Sequence, residues 1–199
     1  MKNCVISHYD KLIENENDPF HDPEPLKEYM DKWDGDIFIE KLSLDKNKSV
    51  LEIGVGTGRL ADRTAPHCKR LCGIDISPKT TERALLNLKS HDNIDIICSD
   101  FMAYEFTEKF DVIYSSLTFM HIEDKQSAIN KAASLLGING RFVLSIDKNQ
   151  DSFIDADCSR IEIYPDNPDN IIPCIANSGL ELKEHLQTEF AHIFVAEKR

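Results

Sequence analysis

The sequence has no long apolar run. None of its hydrophobic stretches approaches the roughly 20 residues that a membrane-spanning helix requires. The residues that follow Met1 do not build the apolar centre of a secretory signal peptide either. With 41% apolar and 29% charged residues in a chain of 199, the composition is typical of one soluble globular domain. The sequence therefore predicts a single-domain cytoplasmic protein.

Patterns for metal binding or disulfide formation are also missing. The six cysteines are scattered, without a C-x-x-C pair or a histidine at metal-ligand spacing: Cys4, Cys68, Cys72, Cys98, Cys158 and Cys174. Cys68 and Cys72 come closest, but a second pair of ligands is lacking. We therefore expect reduced, mostly buried thiols and no bound metal.

Positive charge is scarce. Lys and Arg number 23 against 35 Asp and Glu, which gives a net charge of −12, and no run of basic residues forms a stripe. Such a surface repels the phosphate backbone of nucleic acids. A nucleic-acid substrate is therefore disfavoured.

The order of the predicted elements indicates an α/β fold. The predicted strands cover residues 49–53, 70–74, 94–98, 110–114 and 141–146. Between them lie predicted helices at 59–65, from Ser77-Pro78 to 88, and at 125–136. Parallel strands need crossover connections, so this alternation implies a mostly parallel sheet with helices on both faces. Two further strands, 182–188 and 191–196, are separated by only two residues, which predicts an antiparallel hairpin.

The first 36 residues form a segment of a different kind. Turn-forming pairs such as Asp18-Pro19 surround short helical patches at 9–14 and 26–33. We expect residues 1–36 to form a lid or cap, in which Tyr9 and Trp33 either cover a ligand or pack. Residues 37–199 would form the core, beginning with a helix at 36–44 that lies on the first strand.

A glycine-rich loop follows the first predicted strand, where residues 50–58 read V-L-E-I-G-V-G-T-G. Glycine suits this turn because no Cβ keeps a ligand away from the backbone. Asp75, at the end of the second strand, can accept hydrogen bonds from both hydroxyls of a ribose. The G-x-G-x-x-G pattern of nicotinamide and flavin enzymes fails at Arg59. Glu52 suits an ammonium or a sulfonium better than a pyrophosphate.

This segment resembles motif I of the class I S-adenosylmethionine-dependent methyltransferases. Four later segments resemble the family's other motifs in order: Asp75-Ile76, Ser99-Asp100-Phe101, residues 110–116 and residues 135–144. The resemblance runs from Ser49 to the C-terminus. It implies a Rossmann-like, seven-stranded, mostly parallel sheet that an antiparallel C-terminal hairpin strand closes, with the ligand at the carboxyl ends of the parallel strands.

The resemblance also implies S-adenosyl-L-methionine as cofactor and a role for individual residues. The residues implied to bind the cofactor are Glu52, Gly54, Val55, Gly56, Thr57, Asp75, Ile76, Asp100, Phe101, Ser115 and Ser116. Within this set the glycine loop would line the methionine part, and Glu52 would lie near the amino group. Asp75 would bind the ribose hydroxyls and Asp100 would bind the adenine edge.

Methyl transfer from a sulfonium is an in-line displacement, so the protein mainly positions the reactants and excludes water. By the resemblance, His121 follows strand four where the acceptor should lie, and it is the candidate catalytic base. Orientation or packing are the alternative roles for this histidine. A metal-dependent O-methyltransferase would need carboxylates after strands four and five. Ser115 and Ser116 occupy the end of strand four, so the sequence does not favour metal dependence.

The chemical class of the methyl acceptor is indicated only by features that the sequence lacks. Residues 115–118 read S-S-L-T, in place of the Asn/Asp-Pro-Pro-Tyr run that serves nucleobases or glutamine side chains. The polar segment 148–168 offers little wall for a large ligand. A small-molecule acceptor is therefore the leading hypothesis. A cofactor-binding protein without turnover is the alternative, and a nicotinamide-dependent oxidoreductase is a third reading.

Overall fold

The computed structural model describes residues 2–156 and 159–199. Within these residues the strands are β1 Ser49–Ile53, β2 Arg70–Asp75, β3 Ile94–Cys98, β4 Phe110–Ser116, β5 Leu136–Asp147, β6 Phe153–Ala156, β7 Ser159–Glu162, β8 Leu180–Gln187 and β9 Ala191–Lys198. The helices are α1 Lys2–Glu14, α2 Glu24–Asp34, α3 Asp36–Lys41, α4 Arg59–Thr64, α5 Pro78–Asn87, α6 Lys125–Leu135 and α7 Pro168–Asn177. Short 3₁₀ turns cover Pro19–His21, Ala65–His67 and Phe119–His121.

A seven-stranded sheet in the order β3-β2-β1-β4-β5-β9-β8 forms the centre of the molecule. The strands from β1 to β5 pair in parallel. Strand β9 runs antiparallel to both β5 and β8. The predicted Rossmann-like fold with an antiparallel C-terminal hairpin is therefore confirmed. The strand order reverses between β1 and β4, and this is the point where open α/β sheets form a ligand crevice.

Both faces of the sheet are covered because the central strands are apolar on both sides. On β1, Val50 packs in a cluster with residues of α3, α4 and α5. Leu51 and Ile53 point to the opposite face and pack in a cluster with residues of α6 and α7. The two clusters hold the central strands in place from both faces. They thereby fix the position of the strand ends and of the loops that follow.

The predicted start of α5 matches the structure. The Ser77 side chain accepts a hydrogen bond from the Thr80 N–H, and Pro78 occupies the first turn, where its missing N–H costs nothing. The prediction was wrong at β5, which begins at Leu136 and not at residue 141. Phe110 pairs with Leu136 and Val112 pairs with Arg141. The extra residues of β5 between these two pairs form a bulge, and β5 pairs with β4 on both sides of it.

Helices α1 to α3 lie outside the sheet. Helix α1 packs on α5 and also contacts β7, whereas α2 packs on β5 and β9. Asp10 of α1 accepts hydrogen bonds from the Ser77 hydroxyl at 2.7 Å and from the Lys79 N–H at 3.2 Å. Helix α1 is thereby attached to the N-terminus of α5, next to the carboxyl ends of β1 and β2.

The described cysteines are free thiols, but they are not mostly buried as expected. Cys68 and Cys72 are buried, Cys174 is intermediate, and Cys4 and Cys98 are exposed. Cys158 lies outside the described residues. None of the described helices is long and apolar enough to cross a membrane.

Candidate active site

A cavity of about 720 Å³ opens at the carboxyl ends of the parallel strands. Its floor includes Ile53 at the end of β1, Asp75 at the end of β2 and Ser116 at the end of β4. Val5 and Tyr9 of α1 line the same space from the N-terminal segment. The cavity thus lies at the reversal point of the sheet and is covered by α1.

Two glycines of the loop after β1 are required by geometry. Gly54 has a φ of +78°, and a Cβ on it would lie 1.9 Å from the Thr118 Oγ1, so the loop packs directly against the chain that follows β4. Gly56 has a φ of +56°, and a Cβ there would meet no atom within 4 Å. Since both glycines line the cavity, Gly56 presents bare backbone to open space where a ligand can approach.

Asp75 is held in place by the loop that it faces. Its Oδ2 accepts a hydrogen bond from the Gly56 N–H at 3.0 Å, and its Oδ1 accepts one from the Ser77 N–H at 3.0 Å. Burial raises the pKa of Asp75, and these backbone N–H groups lower it in part. Each carboxylate oxygen keeps a lone pair for a further donor, so Asp75 can accept hydrogen bonds from a pair of hydroxyls.

His121 ends the 3₁₀ turn after β4 and meets α1. Its Nε2 lies 2.7 Å from the Tyr9 hydroxyl, and its buried Nδ1 has no hydrogen-bond partner among the described residues. Burial lowers the pKa of His121 to about 4, and His8 and Lys125 add to this effect. Burial also raises the pKa of Tyr9, as does the nearby charge of Asp75. The imidazole and the phenol are therefore both neutral at pH 7.

A buried polar network lies beside the loop. The Arg59 Nη2 donates to both carboxylate oxygens of Asp34, at 2.8 and 2.7 Å, and the Ser116 hydroxyl donates to the same carboxylate. Asp34 ends α2 and is fully buried. Arg59, the residue that breaks the G-x-G-x-x-G pattern, therefore holds the end of α2 at α4, and Asp34 attaches the same end to β4 through Ser116.

Glu52 lies below the cavity floor. It is 3% exposed and accepts a hydrogen bond from the Tyr114 hydroxyl at 2.7 Å. Burial raises its pKa to about 8, although the Tyr114 hydroxyl and the charge of Arg59 act in the opposite direction. The carboxyl is therefore mostly protonated at pH 7, and a cation placed above it would favour its ionised form.

The structure brings most of the predicted site residues to one cavity. Those that line it are Gly54, Gly56, Asp75, Ile76, Asp100, Phe101, Ser116 and His121. Four others lie outside the lining: Glu52, Val55, Thr57 and Ser115. Val55 packs against Gly73, and Ser115 donates to the Ile53 carbonyl at 2.8 Å, so both support the loop from behind.

The two aromatic residues that were predicted for the lid differ in position. Tyr9 lines the cavity. Trp33 instead packs against Phe190, with ring centroids 4.6 Å apart, and against Tyr29. Its neighbours include a residue near the C-terminus, which a pattern within the first 36 residues cannot indicate.

Two of residues 148–168 line the cavity. Glu162 of β7 and Tyr164 line it, and the Tyr164 N–H donates to the Met120 carbonyl at 2.8 Å. The described part of this segment therefore contributes two residues to the wall, beside the predicted site residues. In the sequence, Ile161 and Ile163 alternate with Glu162 and Tyr164, which is the pattern of a half-buried strand. In the structure the two isoleucines are buried.

The charge of the cavity has one sign. None of the described residues that line the cavity is Lys or Arg. The lining residues include the acidic Glu123, Asp124 and Glu162. Over residues 2–156 and 159–199, no group of three or more His, Cys, Asp or Glu side chains could hold a metal ion. An anionic ligand group would find no positively charged side chain among the described residues that line the cavity.

Comparisons with known proteins identify the family. The family described as methyltransferase domain matches residues 51–144. A methyltransferase of Bacillus licheniformis, itself uncharacterised, is 30% identical over 170 residues, which cover 82% of this chain and 70% of that protein. Nodulation protein S of Sinorhizobium fredii is 30% identical over 125 residues, covering 60% of this chain and 55% of that protein.

The fold is similar to that of solved enzymes. The crystal structure of the N-methyltransferase NodS from Bradyrhizobium japonicum, in complex with S-adenosyl-L-homocysteine, matches with a TM-score of 0.71. It is 20% identical in sequence, and the match covers 98% of each chain. Among the curated relatives, the first matches cover 55, 60 and 41% of those proteins, so the chain spans about half of their length.

Proposed function

Because this chain belongs to the class I S-adenosylmethionine-dependent methyltransferases, we propose that it transfers a methyl group to a small-molecule acceptor held between the glycine loop, His121 and α1. One observation carries the proposal. A single cavity joins Gly54, Gly56 and Asp75 to the Tyr9–His121 pair. In this proposal the cofactor and the acceptor would occupy one continuous space, as a direct transfer requires.

The residues of the cavity fit S-adenosyl-L-methionine. The open space beside Gly56 admits a ligand against the backbone, and Asp75 has oxygen lone pairs for ribose hydroxyls. The lining residues without Lys or Arg suit a cationic group better than a pyrophosphate. When bound, the cofactor supplies an activated methyl group on a sulfonium.

Each predicted residue has a place in this proposal. Gly54, Gly56 and Ser116 would hold the methionine part, and Asp75 the ribose. The adenine would lie among Ile76, Asp100 and Phe101. Glu52, Val55, Thr57 and Ser115 would support the loop from outside the cavity, with the Glu52 carboxyl responding to the ammonium charge.

Tyr9 and His121 would orient the acceptor. At pH 7 the neutral imidazole can accept a hydrogen bond, a pKa of about 4 makes it only a weak base, and the Tyr9 hydroxyl holds the Nε2 side of the ring. The two residues also close the cavity between α1 and the turn after β4, which excludes water from the reacting atoms. His121 is therefore our candidate for the group that orients or deprotonates the acceptor.

The chemistry of the lining favours a neutral or cationic acceptor. Glu123, Asp124 and Glu162 add negative charge to the lining. The relative named NodS is an N-methyltransferase, and an amine acceptor fits this charge.

We further propose a cytoplasmic protein that does not act on nucleic acid, in which residues 1–36 form the lid and residues 37–199 the core.

Calorimetric titration with S-adenosyl-L-methionine and S-adenosyl-L-homocysteine tests the proposal. We expect saturable binding with a dissociation constant near 1 µM, about −8 kcal/mol, and a loss of at least about 100-fold in Asp75→Ala. Asp95→Ala is the control, since Asp95 pairs with Arg70 on the neighbouring strand and is exposed.

The alternatives give different results. A protein that only binds the cofactor would show the same titration but no methylated product from any member of an amine and alcohol panel. Preference for a reduced nicotinamide dinucleotide, with no heat from S-adenosyl-L-methionine, would contradict the proposed function.

A further inference from the structure

Lys125 occupies an unusual position for a lysine. It is the first residue of α6, where a positive charge opposes the helix dipole. Its side chain does not extend into solvent but is only 13% exposed. The Nζ donates to the Phe119 carbonyl at 2.5 Å and to the Tyr164 carbonyl at 3.0 Å, and lies 2.9 Å from the Asp166 Oδ1. The two carbonyls therefore accept hydrogen bonds from the ammonium, whereas Asp166 is an ion-pair partner whose Oδ1 accepts no hydrogen bond among the described residues.

These partners come from two walls of the cavity. The Phe119 carbonyl belongs to the turn that ends in His121. Tyr164 belongs to the segment after β7, and its N–H donates to the Met120 carbonyl of the same turn. Since His121 and Tyr164 both line the cavity, the Lys125 ammonium joins two segments whose separation sets the width of the cavity at this end.

Fold stability alone does not explain the buried pair. The Asp166 side chain is 2% exposed, and burial lowers the pKa of Lys125 and raises the pKa of Asp166, while each charge favours the other. Taking both charges out of water is costly, and an apolar pair of similar volume is often as stable or more stable. Stability and positioning therefore predict different results when both residues are replaced.

We infer that Lys125, paired with Asp166, is a positioning residue that joins the His121 turn to the Tyr164 wall and thereby fixes the acceptor part of the cavity. The inference rests on the proposed function. The pair does not touch the reacting atoms. It holds the imidazole at its distance from Tyr9 and from the wall that faces it, and small displacements of such groups are costly in catalysis.

The test compares Lys125→Met with the double variant Lys125→Met/Asp166→Leu, both in complex with S-adenosyl-L-homocysteine. We expect the single variant to be destabilised, because Asp166 is left buried without its partner. We expect the double variant to recover the stability of the wild type in urea unfolding. The control is Lys41→Met, because Lys41 is also partly buried and pairs with Glu184 at 2.7 Å, and neither residue lines the cavity.

The deciding readout is the imidazole of His121 in long-range ¹H–¹⁵N spectra, assigned with His121→Gln. In the double variant we expect its ring signals to shift or broaden, although the fold is stable and the affinity for S-adenosyl-L-homocysteine changes less than about 3-fold. With an acceptor from the panel, kcat should fall about 10-fold or more. Lys41→Met should leave the ring signals unchanged.

Unchanged ring signals in a stable double variant would overturn the inference and would leave the proposed function intact. Failure of the wild type to bind S-adenosyl-L-homocysteine would instead contradict the proposed function. If the double variant does not fold, Lys125→Arg gives the second measurement. An arginine retains the charge but replaces the compact ammonium with a planar fork, so displaced His121 signals with retained stability would support positioning.

Discussion

The two sides of the cavity are assembled in different ways. On the side of the glycine loop, the bond between the Gly56 N–H and Asp75 joins residues 19 positions apart. On the side of His121, the bond to Tyr9 joins residues 112 positions apart, and the bond from Lys125 to the Tyr164 carbonyl spans 39. The first side is built from two neighbouring strand ends, and the second from three separate segments.

This difference separates two tasks. The glycine-loop side is fixed by buried strands, which leave little freedom to the backbone that follows them. The His121 side consists of α1, the turn after β4 and the residues after β7, which contact one another through side chains and single backbone bonds. Loops on a rigid scaffold can change without disturbing the sheet. The same cofactor side can therefore serve different acceptors.

The largest effect should come from Gly54→Ala, because Gly54 is where the two sides meet. A Cβ at this position would lie 1.9 Å from the Thr118 Oγ1, and the positive φ adds strain. We expect a loss of roughly 3 kcal/mol or more in the free energy of unfolding and no measurable cofactor binding. Urea unfolding and calorimetry measure the two quantities.

Gly56→Ala is the matched control for this prediction. The strain of a positive φ remains, but the new Cβ meets no atom of the protein within 4 Å. We expect a loss of only about 1–2 kcal/mol in stability, together with weaker cofactor binding, because the methyl group occupies the space of the ligand. Equal destabilisation by the two substitutions would show that contact with Thr118 is unimportant.

The glycine-loop side could be predicted from the sequence because its signals are local. The bounds of β1 and β3 agree with the predictions at 49–53 and 94–98, since short apolar runs between turn signals mark buried strands. The loop and Asp75 follow these strands directly. Burial of the strands then places the loop and the carboxylate side by side.

The helix α7 and the contacts between distant segments could not be predicted in the same way. Helix α7, with Pro173 in its interior, carries a residue that normally ends helices, so a local reading does not favour it. The ion pair of Arg59 with Asp34 and that of Lys125 with Asp166 join distant segments. One sequence shows the charges but not which of them meet, because the pairing is decided by the packing of α2, α6 and the residues after β7.

The next largest effect concerns Glu52 and pH. Burial raises the pKa of this carboxyl from its ordinary 4.5 to about 8, so the folded protein binds more protons than the unfolded chain between these values. The contribution of Glu52 to stability is therefore present below pH 4.5 and is lost as the pH rises to about 8. In Glu52→Gln the amide oxygen can still accept from Tyr114, and the charge is absent at every pH.

We expect Glu52→Gln to be more stable than the wild type at pH 8.5 by up to roughly 5 kcal/mol, since the pKa rises from 4.5 to about 8 and each pH unit is worth about 1.4 kcal/mol. The difference should disappear near pH 4.5. Unfolding in urea at several pH values measures it, with Glu108→Gln as the exposed control that pairs with Arg70. A constant difference across this range would refute the assigned protonation of Glu52.

A smaller effect is expected on the His121 side from Tyr9→Phe. The substitution removes the hydroxyl that lies 2.7 Å from the His121 Nε2 and retains the ring. We expect a loss of about 1 kcal/mol in stability, a fall of about 10-fold in kcat and nearly unchanged affinity for S-adenosyl-L-homocysteine. Tyr29→Phe on α2 is the control, because Tyr29 is 45% exposed. Equal losses of cofactor affinity and kcat would mean that the two sides of the cavity are not separable.

The smallest effect should come from the attachment of α1 to α5. Asp10 accepts hydrogen bonds from the Ser77 hydroxyl and the Lys79 N–H, whereas Glu14, one turn later, pairs with Lys79 only at the exposed surface. Asp10→Asn weakens two bonds at the edge of the cavity cover, so release of S-adenosyl-L-homocysteine in stopped-flow experiments should become about 3- to 5-fold faster, equivalent to about 1 kcal/mol. Glu14→Gln should change the rate by less than about 2-fold, because exposed ion pairs contribute little. If the two variants release the ligand equally fast, α1 does not control access, and the cover of the cavity must come from the residues after β7.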